Sequence, residues 1–540
     1  TSYPCYGQVL GEFRGSWSYS TYLYLAFQKR LQNYNNFLTY ANKFAKKLLN
    51  DFIIGRIKAE LPFEPNAEKE ELLKALGAFL VSRDERKAFI LRGYAGTGKT
   101  SVISALVRAL AQLKQPTVLL APTGRAAKVF SRYAGTQAYT IHKKIYRQTQ
   151  LGKESFTLSD NLHRGTLFII DEASMLSGQR DNPTFGSGCL LDDLVRYVYS
   201  GSNCSLLLVG DDAQLPPVGS IMSPALDAEY MRGYGLQVTG FQLTAVARQA
   251  LDSGILSEAT RLRELLKAPD TQNIKIIPNN SDIIHVPGEQ VIEQLENSWR
   301  EVGAEETLII ARSNKMMNLY NGGVRASVLW KEDDLSNGDR LMVTKNNYFW
   351  AEEYEDLEFI ANGDMFEIER LTNRHEMYGF HFAKASLRSV DYNWEIDALI
   401  WLDTLTTDSP EANYQLQCDL FARITEDYPE IRNKKELIKK IYDSPYFNAL
   451  QVRFAYCVTC HKAQGGQWKH VYIDPGLPIT GDGLQESPLH NPYSLTHNPS
   501  PLTHNPSLLT HSPSPITPQE HLRWLYTALT RSTEKIFLLR

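Results

Sequence analysis

The stretch "GYAGTGKT", residues 93 to 100, places Gly93, Gly98, Lys99 and Thr100 in the pattern G-x-x-x-x-G-K-[ST]. It follows an apolar run and precedes a helix-prone one, so its backbone N–H groups can turn towards phosphate oxygens at a helix N-terminus. Gly96, Thr97 and Ser101 complete that loop. Lys99 is placed to neutralise β- and γ-phosphates, and the Thr100 hydroxyl to hold Mg2+. "LFIIDEAS" supplies a second half. Asp171 ends a buried strand, where a carboxylate is costly unless it meets a cation, so it is expected to hold Mg2+ through water. The adjacent Glu172 is expected to polarise an attacking water. In "LLLVGDDAQLPPVGS", Gln214 ends the next strand beside the rigid Pro216-Pro217, where it could sense a γ-phosphate. Together these residues predict a nucleotide-hydrolysing site using ATP and Mg2+.

"CVTCHKAQGGQW", residues 457 to 468, poses a different question. Cys457-x-x-Cys460-His461 fits the attachment pattern for a c-type haem, and Cys-x-x-Cys is half of many zinc sites. No second Cys-x-x-Cys exists in the chain.

These residues need a scaffold that brings strand ends together. From about residue 61 to 250, the runs "AFILRG", "TVLLAP", "TLFIID" and "SLLLVGD" alternate with longer helical stretches. Such a pattern predicts a parallel sheet covered by helices on both faces, with ligands at the carboxyl ends of the strands. A second set ("TLIIARSN", "ALQVRFAYCVTCHKAQG" and the terminal "KIFLLR") predicts another α/β unit, over 251–335 and 447–540. Between its halves, 336–393 is rich in β-formers and Asn-Gly-Asp turns, as in a small barrel, and 394–446 reads as an acidic helical insertion. Residues 1–60 carry apolar positions at helical spacing and eight Lys/Arg against three Asp/Glu, which predicts a basic helical segment. Residues 494–517 repeat Leu-Thr-His-Asn-Pro-Ser about three times, and regular Pro with little apolar mass predicts a surface linker rather than a metal site.

The 540 residues, 43% hydrophobic and 22% charged, are enough for roughly three or four domains. A net charge of −4 announces no nucleic-acid partner, although a motor that releases its track need not be basic. The six cysteines are scattered, unlike a disulfide framework, which fits a reducing cytoplasm. No apolar run approaches the ~18 residues of a bilayer span, and no charged-then-apolar leader opens the chain, so a soluble cytoplasmic protein without a membrane partner is expected.

The order "GYAGTGKT", "APTGRAAKVF", "TIHKKIY", "IIDEASM", "GDDAQLPPV", "LTAVARQ", "VTCHKAQGGQW", "LYTALTRS" resembles superfamily-one helicases, and within them the RecD-like and Dda-like branch. The resemblance covers roughly residues 61–350 and 447–540. It implies two RecA-like domains with ATP between them, an SH3-like barrel inserted in the second, and 5′-to-3′ movement on single-stranded DNA with unwinding of tailed duplexes. DNA recombination or repair, alone or beside nuclease subunits, is the implied setting. By the same resemblance Arg248 and Arg531 reach the γ-phosphate from either side of the cleft. Pro122, Thr123, Arg125 and Lys128 contact the DNA backbone with His142 beside them, and residues 146–165 supply the hairpin that splits the duplex. In "VTCHKAQGGQW", Thr459 and His461 touch DNA, while Gln464, Gly465 and Gln467 lie near the nucleotide. Cys457 and Cys460 then become strand residues, and neither haem nor zinc is expected. Two positions depart from the relatives. Lys69 stands where they carry an adenine-reading Gln, and Gln467-Trp468 where they tend to have a Glu or a small residue. The rival readings are a DNA-binding scaffold subunit with a weakened motor and an RNA helicase of the same superfamily.

Overall fold

A computed structural model describes residues 44–148, 156–180, 185–246, 253–267, 274–279, 281–354, 357, 359–392, 394–407, 409–476 and 517–539. Most of the segment 1–60 and nearly all of the repeat 494–517 fall outside the described residues, as does Arg248. The described part of the first segment, 44–59, is one helix, α1.

Helix α2 (Ala67–Val81) begins at Asn66, whose side chain accepts the Lys69 N–H. It leads into β1 (Lys87–Gly93), α3 (Lys99–Gln112), β2 (Thr117–Ala121), α4 (Gly124–Ala134), β3 (Ala138–Thr140) and α5 (Ile141–Ile145). A short antiparallel pair follows, β4 (Tyr146–Gln148) with β5 (Phe156–Leu158), at the place of the expected hairpin. Then come β6 (Leu167–Ile170), α6 (Leu190–Ser200), β7 (Ser205–Gly210), α7 (Ala228–Arg232) and β8 (Gln237–Leu243). Six of these strands form one parallel sheet in the order β3-β2-β6-β7-β1-β8. Every residue of β6 and β7 is buried, which is why those strands read as unbroken apolar runs.

The second half runs α8 (Gly254–Lys267), β9 (Ile283–Val286), α9 (Val291–Val302), β10 (Thr307–Ala311) and α10 (Asn314–Gly323). The barrel strands β11 (Arg340–Val343), β12 (Met365–Met377), β13 (Phe380–Ser389) and β14 (Glu395–Trp401) come next, followed by α11 (Pro410–Thr425), α12 (Lys434–Tyr442) and β15 (Leu450–Phe454). The chain returns through β16 (Cys457–Thr459), α13 (Cys460–Ala463) and β17 (Trp468–Ile473) to α14 (Pro518–Leu529) and β18 (Ser532–Leu539). The second sheet is parallel, in the order β16-β10-β17-β18-β9. Its last helix starts with a Thr517–Glu520 capping box.

The barrel is closed, β11-β12-β13-β14-β15, and larger than 336–393. β14 lies where helix was expected, and β15, read as part of the second α/β unit, closes the barrel instead, paired with β11 and β14. The helical insertion is therefore confined to α11 and α12. They cover one flank of the barrel through Leu420, Ile424 and Ile441, packed with Phe382 and Trp401.

Two apolar seams between the halves stand out among the described residues. Ala213 and Leu215, after β7, pack with Leu525 and Tyr526 of α14. Phe156 and Phe185 meet Tyr348 and Phe359 of the loop after β11, with Phe156 and Tyr348 ring centroids 4.2 Å apart. Such aromatic contacts add about 0.5–1.5 kcal/mol per pair beyond area burial.

Candidate functional site

The loop between β1 and α3 turns on Gly96 (φ 74°) and Gly98 (φ 86°), a left-handed conformation costly to any residue with a Cβ. Gly98 is the N-cap of α3, so the backbone N–H groups that start the helix open towards the loop. Lys99 Nζ folds back onto the carbonyls of Gly93 and Tyr94 and lies 4.0 Å from Asp211 Oδ2. The Thr97 hydroxyl, fully buried, donates to Tyr94 O. Thr100 and Ser101 are half-buried in the first turn of the helix.

Asp171 and Glu172 follow β6. Burial and the neighbouring Glu172 charge raise the Asp171 pKa, against the pull of Lys99 and of the Glu172 N–H that Asp171 accepts at 2.9 Å. Glu172 sits at φ 50°, a strained conformation for a non-glycine residue. Its carboxylate lies 3.9 Å from Arg531, which comes from the far sheet. Arg531 is 4% exposed and held by Thr527 O, Gly466 O and Thr530 Oγ1.

The loop after β7 is gripped from the second half at several points. Leu215 N–H donates to Thr527 Oγ1 at 2.8 Å, and Leu215 O accepts from Gln464 Nε2 at 2.8 Å. Arg523 donates to the carbonyls of Asp212 and Gln214. Tyr526 donates to Asp211 Oδ2 at 2.8 Å while accepting Ala95 N–H of the phosphate loop at 2.9 Å. Asp211, Arg523, Tyr526 and Thr527 were not singled out from the sequence. For Arg523 and Thr527 the signal was their i, i+4 spacing in the helix-prone run before Arg531, which puts both side chains on one face.

A nucleotide with Mg2+ fits this cleft on a specific observation. Glu172 Oε2, Asp212 Oδ1 and Gln214 Oε1 are buried and have no hydrogen-bond partner among the described residues, and such atoms are costly unless something polar enters. The expected Mg2+ holders Thr100 and Asp171 stand on the elements that meet there. Lys69 is 4% exposed, with Cε and Nζ 3.2 and 3.6 Å from where a Cβ on Gly98 would sit.

The expected DNA contacts are distributed differently. Thr123 caps α4 by accepting Ala126 N–H, and Pro122 precedes it, half-buried. Arg125 lies over the Trp468 ring at 4.2 Å, donates to Gln467 O and faces Asp391 at 3.5 Å. Lys128 donates to Val390 O at 2.6 Å and stands 4.0 Å from Asp391. Gln467 is exposed and accepts from the Tyr133 hydroxyl on α4. Gly465 (φ 76°) packs so closely on α4 that a Cβ would come 2.8 Å from that of Ala126. Thr459 ends β16, half-buried, and His461 is exposed on α13. His142 is drawn into an aromatic cluster, 5.0 Å from Phe185 and 5.8 Å from Tyr146, and burial pushes its pKa down to about 4. In that setting the ring packs against the base of the hairpin. Cys457 and Cys460 are free thiols, both buried, and burial raises the Cys460 pKa to about 12. Among the described residues no group of three or more His, Cys, Asp or Glu could hold a metal, and no helix is long and apolar enough to cross a membrane.

A groove of about 390 Å³ between β3–α5 and the barrel was not foreseen; it is lined by Tyr139, Thr140, Lys143, Phe359, Tyr392 and Trp394. Aromatic faces beside a lysine suit a single strand, whose bases stack and whose phosphates need cations.

Residues 73–264 match the family model described as an AAA domain. Over 474 residues the chain is 22% identical to an uncharacterised protein, R530, of Acanthamoeba polyphaga mimivirus, covering 73% of this chain and 90% of that one. It is 25% identical to the ATP-dependent RecD2 DNA helicase of Deinococcus radiodurans, over 53% of this chain and 37% of that one. The ATP-dependent DNA helicase dda of Enterobacteria phage T4 is 22% identical over 48% of this chain and 57% of its own length. The chain thus spans less than two thirds of either helicase. With its motifs in order, it resembles superfamily-one helicases of the RecD and Dda type.

Proposed function

We infer that this chain is an ATP-dependent DNA helicase of superfamily one, with two RecA-like units and an SH3-like barrel carried by the second. The observation that supports it best is Arg531 facing Glu172 across the two sheets, above a phosphate loop whose neighbours include unpartnered buried polar atoms. A site assembled from both halves changes whenever its contents change.

In this reading Lys99 places its ammonium among the phosphates. Thr100, and Asp171 through water, would hold Mg2+, which would offset the negative charge of the phosphates. Glu172 orients the attacking water and accepts its proton through the unbonded Oε2. Gln214, its backbone held by Arg523, reports the γ-phosphate to the second half. Arg531 supplies positive charge as the transition state forms, as an arginine finger does, and Arg248 is assigned the same duty. Tyr526, Thr527 and Gln464 reach across the same cleft, so release of the γ-phosphate loosens the grip between the sheets. Alternating grip and release moves single-stranded DNA along Thr123, Arg125, Lys128, Thr459 and His461. The resemblance to RecD and Dda supports 5′-to-3′ polarity and a recombination or repair setting.

The test pairs ATP turnover, with and without single-stranded DNA or RNA, with strand displacement on 5′-tailed, 3′-tailed and blunt duplexes. DNA-stimulated turnover and unwinding only from a 5′ tail are expected, both lost in Lys99→Ala. No turnover with any nucleic acid would overturn the motor reading, RNA-only stimulation the DNA assignment, and equal activity on a 3′ tail the polarity.

A further inference from the structure

Lys69 is a buried cation without a counterpart. Its side chain is 4% exposed, and among the described residues its ammonium makes no hydrogen bond and no ion pair; its neighbour is the Phe63 ring, 5.0 Å away. Glu68, whose charge acts on it, is committed elsewhere, accepting Thr244 N–H and hydroxyl at 2.7 Å each and Ala245 N–H at 3.0 Å. Burial holds the Lys69 pKa below the usual lysine range. Leaving a buried ammonium unpaired is costly, so the position makes sense only if an acceptor arrives with a ligand.

Topology says which part of a nucleotide that is. Asp171, Glu172 and Gln214 follow β6 and β7, which lie on one side of β1 in the sheet. Glu68, the neighbour of Lys69 on α2, binds the loop after β8, on the other side of β1, and Lys69 itself reaches the phosphate loop at Gly98. With its terminal phosphate at the β6–β7 side, a nucleotide extends its base towards β8 and α2. There it meets an aromatic face and a donor-only cation. Adenine presents an acceptor, N7, next to a donor, the N6 amino group, whereas guanine and hypoxanthine present two acceptors, N7 and O6. An ammonium can serve both acceptors of a 6-oxopurine but only one group on adenine.

We propose that Lys69 sets the base preference of this site, so that it takes 6-oxopurine nucleotides such as GTP and ITP at least as well as ATP. The proposal rests on the nucleotide-site reading above and refines its substrate class.

Binding without turnover tests it. ADP, GDP and IDP compete against N-methylanthraniloyl-ADP on the full chain, as wild type, Lys69→Gln and Lys69→Met. GDP is expected to bind the wild type at least as tightly as ADP, with IDP tracking GDP because O6 rather than the guanine 2-amino group is read. Lys69→Gln, whose amide both donates and accepts, should shift the GDP-to-ADP ratio towards ADP by about fivefold or more, the worth of one ordinary hydrogen bond. Lys69→Met, which keeps the length and loses the donor, should remove the 6-oxo advantage. A wild type preferring ADP tenfold or more, unchanged in Lys69→Gln, would sink the proposal. So would equal weakening of all three nucleotides in Lys69→Met, which would put the ammonium on phosphate. Failure of every nucleotide to bind the wild type would instead remove the underlying site reading, and the proposal with it.

Discussion

Arg531 and Tyr526 lie on one stretch of chain yet should fail differently when changed. Arg531 meets Glu172 at 3.9 Å and reaches no backbone group of the phosphate loop. Arg531→Ala should therefore hydrolyse bound ATP about 10³-fold more slowly, in the range of arginine-finger losses, while nucleotide affinity stays within tenfold. Single-turnover rates beside equilibrium binding separate the two, and a collapsed affinity with an unchanged rate would refute the assignment. Tyr526 spends one hydroxyl on two partners, Asp211 and Ala95 N–H, both in the cleft. Tyr526→Phe removes the hydrogen bond to buried Asp211 Oδ2, leaving that oxygen only the Lys99 ammonium at 4.0 Å, and strips the loop amide of its acceptor, which costs about 1–3 kcal/mol. Denaturant unfolding should show that loss, and a variant as stable as wild type would show that water replaces the hydroxyl.

At the scale of elements, α4 and the hairpin show what else packs against residues that the motifs assign to DNA. The barrel loop sets Asp391 against Arg125 and Lys128, leaving Asp391 Oδ2 and Arg125 Nε without hydrogen bonds. A carboxylate there competes with phosphate for the same cations. Asp391→Asn should bind a single-stranded oligonucleotide several-fold more tightly at low salt, a gain that fluorescence anisotropy would read; weaker binding would mean that the loop positions those cations instead. For His142, the sign of the pH effect follows from its pKa of about 4 against an ordinary value near 6.5. Between those values the unfolded chain binds the extra proton, so stability falls as pH drops through that window. His142→Phe should flatten the decline, visible as a smaller difference between urea midpoints at pH 7 and pH 5. An unchanged difference would mean that the ring is protonated in the fold.

For the whole molecule, a net charge of −4 means that DNA affinity would come from local cations rather than from the overall field. The logarithm of single-strand affinity should fall linearly with the logarithm of salt, with a slope of about −0.7 per phosphate neutralised. A salt-independent affinity would point away from backbone contacts. The two halves need each other for this: Arg531, Gln464 and Tyr526 act on the first sheet but are folded by the second. The cleft is therefore a property of the assembled chain and of neither sheet alone.

What the sequence determined by itself was the chemistry that is local in the chain. The proposed phosphate cradle, Gly93 to Ser101, is contiguous, as a loop of successive backbone amides must be. Asp171 and Glu172 had to end a buried strand, and β6 and β7 announced themselves because burial on both faces demands unbroken apolar runs. The tertiary structure alone decided what depends on distant partners. β14 and β15 close the barrel although α11 and α12 separate them in the chain, since barrel closure pairs backbones and carries no local signature in sequence. Asp391 reaches Arg125, Tyr526 reaches Ala95, and His142 is held among Phe185 and Tyr146 for the same reason: which groups meet across a seam is set by shape and burial, not spacing. Lys69 spans the two cases. The resemblance alone pointed to its position, and its burial without an ion-pair partner among the described residues exists only once α2 lies against the phosphate loop.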